Sequence, residues 1–345
     1  MYNAKRTFRR FAMKKKFGEK AFIYEIACGD LRAFITDHGA TVVSLFVPDK
    51  NGNVEDICLG FDCPEEYTKS GTFFGATVGR NANRTKNAQF VLNGETIKLG
   101  ANDGKNNLHS GFDFFKDRLW NVENQSENSI TLSLNSPDGD QGFPGNAYIK
   151  VTYTLNDERE LAIEYEAKCD KDTAFNFTNH SYFNLAGHQH TERAMEQTLE
   201  MPARFFNPDD AENIPTGELR SVENTPMDFR TPKPIGRDID ADYEPLKLQF
   251  GYDHNFEVYK NPCAILRDIP SGREMEVYTD CPGIQLYAGN FIDEPKGKGG
   301  ISYPRRSGIC LETQFYPDSL NHPEWPQPIT KAGETYKSVT RYRFK

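Results

Sequence analysis

The chain has 345 residues, with 41 Lys and Arg against 50 Asp and Glu, a formal net charge of -9 and 37% hydrophobic residues. That balance excludes the basic surface needed to meet nucleic-acid phosphates, and no apolar run reaches the roughly 18 residues of a membrane span. The apolar share is enough for a sizeable core, and 25 Phe with 16 Tyr favour strands over helices.

At the start, Lys5, Arg6, Arg9, Arg10, Lys14, Lys15 and Lys16 all precede the first acidic residue, Glu19. The only apolar stretch among them, "FAM", is too short for a secretory signal. Residues 1–17 read as a flexible basic leader or cloning remnant, outside the fold, and residues 18–345 as a single domain. In "FFGATVGRNANR" (73–84) the glycines resemble a phosphate loop, but the G-K-[ST] ending is missing. Arg80 and Arg84 read instead as donors to an oxygen-rich ligand or as partners of buried carboxylates. "FVLNGETIKL" then carries Asn93-Gly94 between two alternating runs, a hairpin signal because both turn positions need positive φ. "NNLHSG" (106–111) places His109 before a small Ser-Gly.

Three half-buried strands follow by period-two alternation. Their apolar faces are Ile130, Leu132 and Leu134 in "SITLSL"; Ile149, Val151, Tyr153 and Leu155 in "YIKVTYTL"; and Leu161, Ile163, Tyr165 and Ala167 in "ELAIEYEAKC". Read as a strand, "AFNFTNHSYFNL" (174–185) puts Thr178, His180, Tyr182 and Asn184 on one face. Such a face suits a sugar: amides and hydroxyls read hydroxyls, and an aromatic ring covers C–H surface. Taken alone, the segment favours a plainer answer, a polar network propping up a loop. His188 and His190 form an H-x-H in "AGHQHTER", which reads as an exposed loop.

"GYDHNF" (251–256) sets Asp253 just after a Gly-Tyr turn, as a turn former or a bidentate partner for adjacent hydroxyls. "CPGIQLYAGNF" (281–291) puts Gln285 and Tyr287 on one face, with Ile284 and Leu286 on the other. In "GICLETQFYPDSLNHPEWP" (308–326), Ile309, Leu311, Thr313 and Phe315 share one face, and Cys310, Glu312 and Gln314 the other. A carboxylate between a thiol and an amide is poorly solvated, which raises its pKa toward that of a useful base; a salt bridge to an Arg is the alternative. The loop after it, with Asn321, His322 and Trp325, is expected to wall a cleft.

Helical periodicity is scarce, and 27 glycines and 20 prolines punctuate the chain. The class is therefore all-β, an antiparallel sandwich or barrel with long loops. The seven cysteines are scattered, odd in number and without a C-x-x-C pair, which reads as a reduced cytosolic chain rather than a disulfide framework or zinc site. His109, His180 and Glu312 could converge on zinc, but no local ligand pair supports it, and the expectation is no metal. No G-x-S-x-G elbow points to a serine nucleophile.

Taken in order and spacing, "GRNANR", "NNLHSG", "NFTNHSYFNLAG", "YDHNF", "PGIQLYAGNF" and "GICLETQFYPDSLNHP" resemble the aldose 1-epimerases, also called galactose mutarotases, from about residue 20 to the C-terminus. The resemblance implies a large antiparallel β-sandwich of the galactose mutarotase-like supersandwich type, with a sugar site in an open cleft. It implies His180 as general acid and Glu312 as general base. It also implies Asn83, Arg84 and His109 near the reacting end of the sugar, Asp253 on its hydroxyls, and Tyr182 and Gln285 lining the site. The chain departs from the family pattern at Thr85, Ser110 and Ala288, which bears on the pocket's fine shape.

The expected activity is interconversion of the anomers of a free hexose such as galactose or glucose. No cofactor is expected, the partner is a small monosaccharide without nucleic acid or membrane, and the state is monomer or homodimer. Glu312 and Asp253 are expected to favour a protonated His180. Three rivals remain at this level. They are a glycoside hydrolase using Glu312 and Asp253, a non-catalytic sugar sensor, and an epimerase of phosphorylated hexoses for which "KGKGG" (296–300) could supply cations.

Overall fold

The computed structural model describes residues 13–345. Among the described residues, three large antiparallel sheets form the body of the fold, with four two-stranded pairs beside them. Five strands from Lys14–Phe17 to Val54–Asp56 form a meander in sequence order. A nine-stranded sheet runs in the spatial order Asn121–Gln125, Ser129–Ser136, Ala147–Leu155, Glu160–Cys169, Thr335–Phe344, Arg273–Thr279, Ala264–Asp268, Thr198–Glu200, Lys233–Pro234. A six-stranded sheet runs Tyr182–Phe183, Ile309–Gln314, Gly283–Tyr287, Asp253–Glu257, Phe205–Phe206, Arg220–Ser221. The α-helices among the described residues, Pro64–Lys69 and Glu244–Leu248, have six and five residues, so the all-β expectation holds.

The alternation read from the sequence explains the layering. Register sets Val151 opposite Tyr165 and Leu161 opposite Tyr342, and sets Tyr342 opposite Val277. These buried residues share one face of the nine-stranded sheet. Against it pack Tyr24, Ile26 and Ile35 of the five-stranded sheet, and Phe183, Ile309 and Leu311 of the six-stranded sheet. The Phe183 and Tyr342 rings lie 5.0 Å apart, and the Tyr342 hydroxyl donates to the Leu311 carbonyl at 2.9 Å. Each fully buried Val, Leu or Ile contributes about 1.5–3 kcal/mol. A one-residue slip would turn a whole set to water, so the pattern pins the register. At the expected hairpin, Asn93 and Gly94 have φ of 52° and 83°, between Gln89–Leu92 and Glu95–Lys98.

Three sequence expectations are corrected here. Residues 1–12 of the expected leader lie outside the described residues, but Lys14–Phe17 is a strand of the fold, paired with Ala21–Cys28; exposed lysines along its edge conceal its one buried residue, Phe17. "AFNFTNHSYFNL" is not one continuous strand. Thr178–Asn179 pairs with Thr77–Val78, whereas Tyr182–Phe183 pairs with Ile309–Cys310, and the chain changes partner at His180. "AGHQHTER" is not an exposed loop: His188 is half-buried, with Nδ1 2.7 Å from the Tyr303 hydroxyl.

Candidate active site

The strand Ile309–Gln314 is buried along its whole length. One face feeds the core between the sheets. On the other, cross-strand neighbours form two adjacent rows: Cys310, Tyr287 and Asp253, then Glu312, Gln285 and Asn255. The sheet's outer face thus carries the thiol, the carboxylates and the amides together. His180 arrives at the sheet change. The Asn179 Oδ1 accepts from the Ser181 N–H and hydroxyl at 3.2 and 2.6 Å, closing the bend. The His180 N–H donates to the Ala76 carbonyl, and the His180 carbonyl accepts from the Gly75 N–H, both at 2.9 Å. With its backbone held on both sides, the imidazole stacks on Tyr182 at 5.0 Å.

His180 Nε2 lies 3.6 Å from Glu312 Oε2, and both side chains are almost fully buried. Among the described residues, Glu312 Oε2 has no hydrogen-bond partner. Burial, and then the nearby Asp253, push the Glu312 carboxyl well above its usual range. Burial lowers His180 to about 4. The expectation that neighbouring carboxylates keep His180 protonated is therefore corrected. Loss of hydration is the largest influence on both groups, and the free pair favours a protonated Glu312 beside a neutral His180.

His109 and Asn83 hold each other. The Asn83 N–H donates to His109 Nδ1 at 3.1 Å, and the His109 N–H donates to the Asn83 carbonyl at 3.0 Å. Both have positive φ, 62° at Asn83 and 52° at His109, a conformation Asn and His tolerate better than most residues. Burial, then His180 and Arg84, hold the His109 imidazole neutral. Since Nδ1 accepts, the proton of the neutral ring sits on Nε2, and His109 is a fixed donor. Arg84 pairs through the short ladder Arg84–Thr85 with Asn107–Leu108, and its Nε donates to Asp103 at 2.8 Å.

Two departures from the family pattern meet here. The Thr85 hydroxyl accepts from Asn81 Nδ2 at 3.2 Å, and the Ser110 hydroxyl bridges the Asn81 N–H and carbonyl at 2.9 Å each. Both brace the turn that presents Asn83 and Arg84.

Asp253 opens its strand half-buried, and Gln285 Nε2 donates to its Oδ1 at 2.8 Å. Gln314 donates in turn to Gln285 at 3.3 Å. Burial raises the Asp253 carboxyl, while Arg84 and the Gln285 hydrogen bond oppose that. Asn83, Arg84, His109, His180, Tyr182, Asp253 and Glu312 line one cavity of about 180 Å³. That is below the roughly 300–1,000 Å³ of drug-sized sites, and it suits a small polar ring. Gln285 stands outside the lining and orients Asp253.

Sequence reasoning missed Phe73 and Phe291 as walls of the cavity. Phe73 lies 5.9 Å from the His180 ring and 4.8 Å from His109; its φ of 59° has no sequence signal in a residue of this type. Tyr287, noted only as a face-mate of Gln285, also lines the cavity.

Other expected groups are engaged elsewhere. Arg80 is fully buried and donates to the carbonyls of Ser136, Pro137, Pro144 and Gly145 at 2.7–3.0 Å. It therefore braces a loop and serves neither ligand nor carboxylate. Lys298 of "KGKGG" is buried, 2.6 Å from Asp56 Oδ2, and donates to the Val43 and Cys58 carbonyls, which removes it from any phosphate. Asn321, His322 and Trp325 are not in the cavity lining. Their loop buttresses the site from behind: the Asp318 N–H donates to the Arg84 carbonyl, and Asp318 Oδ1 accepts from the Lys86 N–H, both at 2.8 Å.

The chain is similar to known proteins over most of its length. The family model described as Aldose 1-epimerase matches residues 23–343. An aldose 1-epimerase from Haemophilus influenzae is 44% identical over 321 residues, covering 91% of this chain and 93% of the relative. A galactose mutarotase from Bos taurus is 41% identical over 326 residues, covering 93% of each. Among solved structures, an aldose epimerase homologue from C. elegans superposes with a TM-score of 0.87 at 35% identity, covering 94% of this chain and 99% of that one.

Proposed function

The chain belongs to the aldose 1-epimerase family and is an isomerase acting on carbohydrate; from that premise we propose that His180 and Glu312 are its acid and base and that its substrate is a free hexose such as galactose or glucose. The observation that carries the assignment is the 3.6 Å approach of His180 Nε2 to Glu312 Oε2 at the floor of one small cavity.

Ring opening moves two protons. Glu312 takes the proton of the C1 hydroxyl while His180 gives one to the ring oxygen, and the bond from C1 to that oxygen breaks. The aldehyde turns about C1–C2, and the same transfers run backward to close the ring on the other face. The pair is a carboxylate beside an imidazolium when the ring is closed, and a carboxylic acid beside a neutral imidazole when it is open. Both forms hold the same number of protons, so a turnover needs no exchange with solvent. The second form is the one burial favours in the free site, which lowers the electrostatic cost of opening. A positioned acid or base supplies roughly 10²–10⁴-fold.

The remaining residues hold the sugar so that only C1 turns. Asp253, oriented by Gln285, accepts from hydroxyls far from C1, and Arg84 and Asn83 bind nearer the reacting end. The His109 Nε2–H donates to the oxygen that becomes the carbonyl. Tyr182 and Phe73 flank the ring. No step calls on a cofactor. Polarimetry on freshly dissolved α-D-galactose and α-D-glucose tests the reading: rotation should reach equilibrium faster than the spontaneous change, and an unaltered rate with both sugars would refute it. Among the described residues, no helix is long and apolar enough to cross a membrane.

A further inference from the structure

Behind the His180 ring lies a group the reaction does not use. The Cys310 Sγ is 3.5 Å from His180 Nδ1 and fully buried. One ligand atom each from His180, Cys310 and Glu312 lies within 4.8 Å of the other two. We propose that these three side chains form a binding site for a thiophilic divalent cation of the zinc type, occupied in the absence of sugar and inhibitory when filled.

Imidazole nitrogen, thiolate and carboxylate are the donors zinc takes, and three protein ligands with an open fourth position are the arrangement of exposed zinc centres. Tetrahedral coordination sets ligand atoms about 3.3–3.7 Å apart; Sγ is nearest Nδ1 and Oε2 nearest Nε2, so the trio closes by about 1 Å and the His180 ring turns to bring one nitrogen onto the ion. Two further observations point to a cation. Among the described residues Glu312 Oε2 is buried with no hydrogen-bond partner, and the cavity reaches His180 and Glu312 in front of the buried Cys310, leaving room for water as fourth ligand.

The charge balance also favours it. Each anion is costly to bury alone, but a dication with one thiolate and one carboxylate is neutral overall. Binding expels one proton from the thiol and one from the carboxyl to the buffer, so affinity rises with pH. The thiolate selects zinc, cobalt or cadmium over magnesium and calcium.

The site rests on the acid–base reading only for its inhibitory effect. Cobalt added to the sugar-free protein, in a Cys28→Ser/Cys63→Ser background that removes the half-buried thiols, should develop a thiolate-to-cobalt absorption band saturating at one ion per chain. Cys310→Ala and the near-isosteric Cys310→Ser should each abolish the band, and magnesium should not compete. No band, or one that survives both substitutions, would overturn the site. Zinc should inhibit competitively with galactose, and Cys310→Ser should raise its half-inhibiting concentration at least tenfold. A Cys310-dependent band that persists in saturating galactose would uphold the metal site and overturn the placing of the sugar at His180 and Glu312.

Discussion

The Asn83 N–H donates to His109 Nδ1, and the His109 N–H returns a bond to the Asn83 carbonyl. This reciprocal pair fixes which ring nitrogen carries the proton and leaves Nε2 as the donor. Much of the site works in this way, through backbone groups that orient a reactive side chain.

Glu312→Gln and His180→Asn should each cut kcat by roughly 10²–10⁴-fold, with circular dichroism unchanged. Polarimetry with the spontaneous rate subtracted measures this. A variant retaining the parent rate would remove its residue from the mechanism.

The pH profile of kcat/KM should be bell-shaped. A second proton enters the pair as pH falls through His180's value of about 4, and the last one leaves as pH rises through the raised value of Glu312. The acid limb should thus lie near 4 rather than near 6.5, the value of a free imidazole. A limb at the ordinary histidine position would contradict the burial argument.

The same shifts act on stability. Glu312 holds its proton in the folded state to a higher pH than in the unfolded chain, so its contribution is fully present below about 4.5 and is lost as pH rises through the folded value. Glu312→Gln should therefore raise Tm at pH 8 and change it little at pH 4. For His180 the folded value is depressed, so stability is present above about 6.5 and is lost as pH falls toward 4. His180→Asn should flatten that acid loss in Tm. Parallel wild-type and variant curves would refute either assignment.

Asp253→Asn should raise KM roughly tenfold to a hundredfold, the usual cost of losing a charged hydrogen-bond acceptor, with a much smaller effect on kcat. Gln285→Leu should move KM the same way but less, because Gln285 acts through Asp253. Equal loss in kcat for either variant would mean that the Asp253 row takes part in the chemistry itself.

Ser110→Gly restores the family's residue at a position with φ of 61°, so the backbone is unstrained. It removes two hydrogen bonds to Asn81. KM should rise about fivefold, as expected for about 1 kcal/mol, through a looser Asn83–Arg84 turn. A lower KM would show that the hydroxyl hinders the turn.

Lys298→Met leaves Asp56 buried without its cation. Such a change costs about 3–5 kcal/mol, visible as a lower urea midpoint, while activity per folded molecule stays at the parent level. An unchanged midpoint would show that the pair is dispensable.

Much of this protein can be read from local sequence. Alternation in "YIKVTYTL" and "ELAIEYEAKC" sets which face of a strand is buried, because side chains alternate with period two. The Asn93-Gly94 hairpin is equally local, since positive φ restricts the residues allowed. Seven of the residues named from the motif set, from Asn83 to Glu312, also line one cavity. What tertiary structure alone decided depends on groups distant in the chain. The sheet change at His180 requires two different partner strands. The removal of Arg80 and Lys298 from the site follows from carbonyls and a carboxylate that only folding brings to them. The protonation expected at His180 rested on its carboxylate neighbours Glu312 and Asp253, whereas the dominant influence, loss of water, is set by burial in three dimensions.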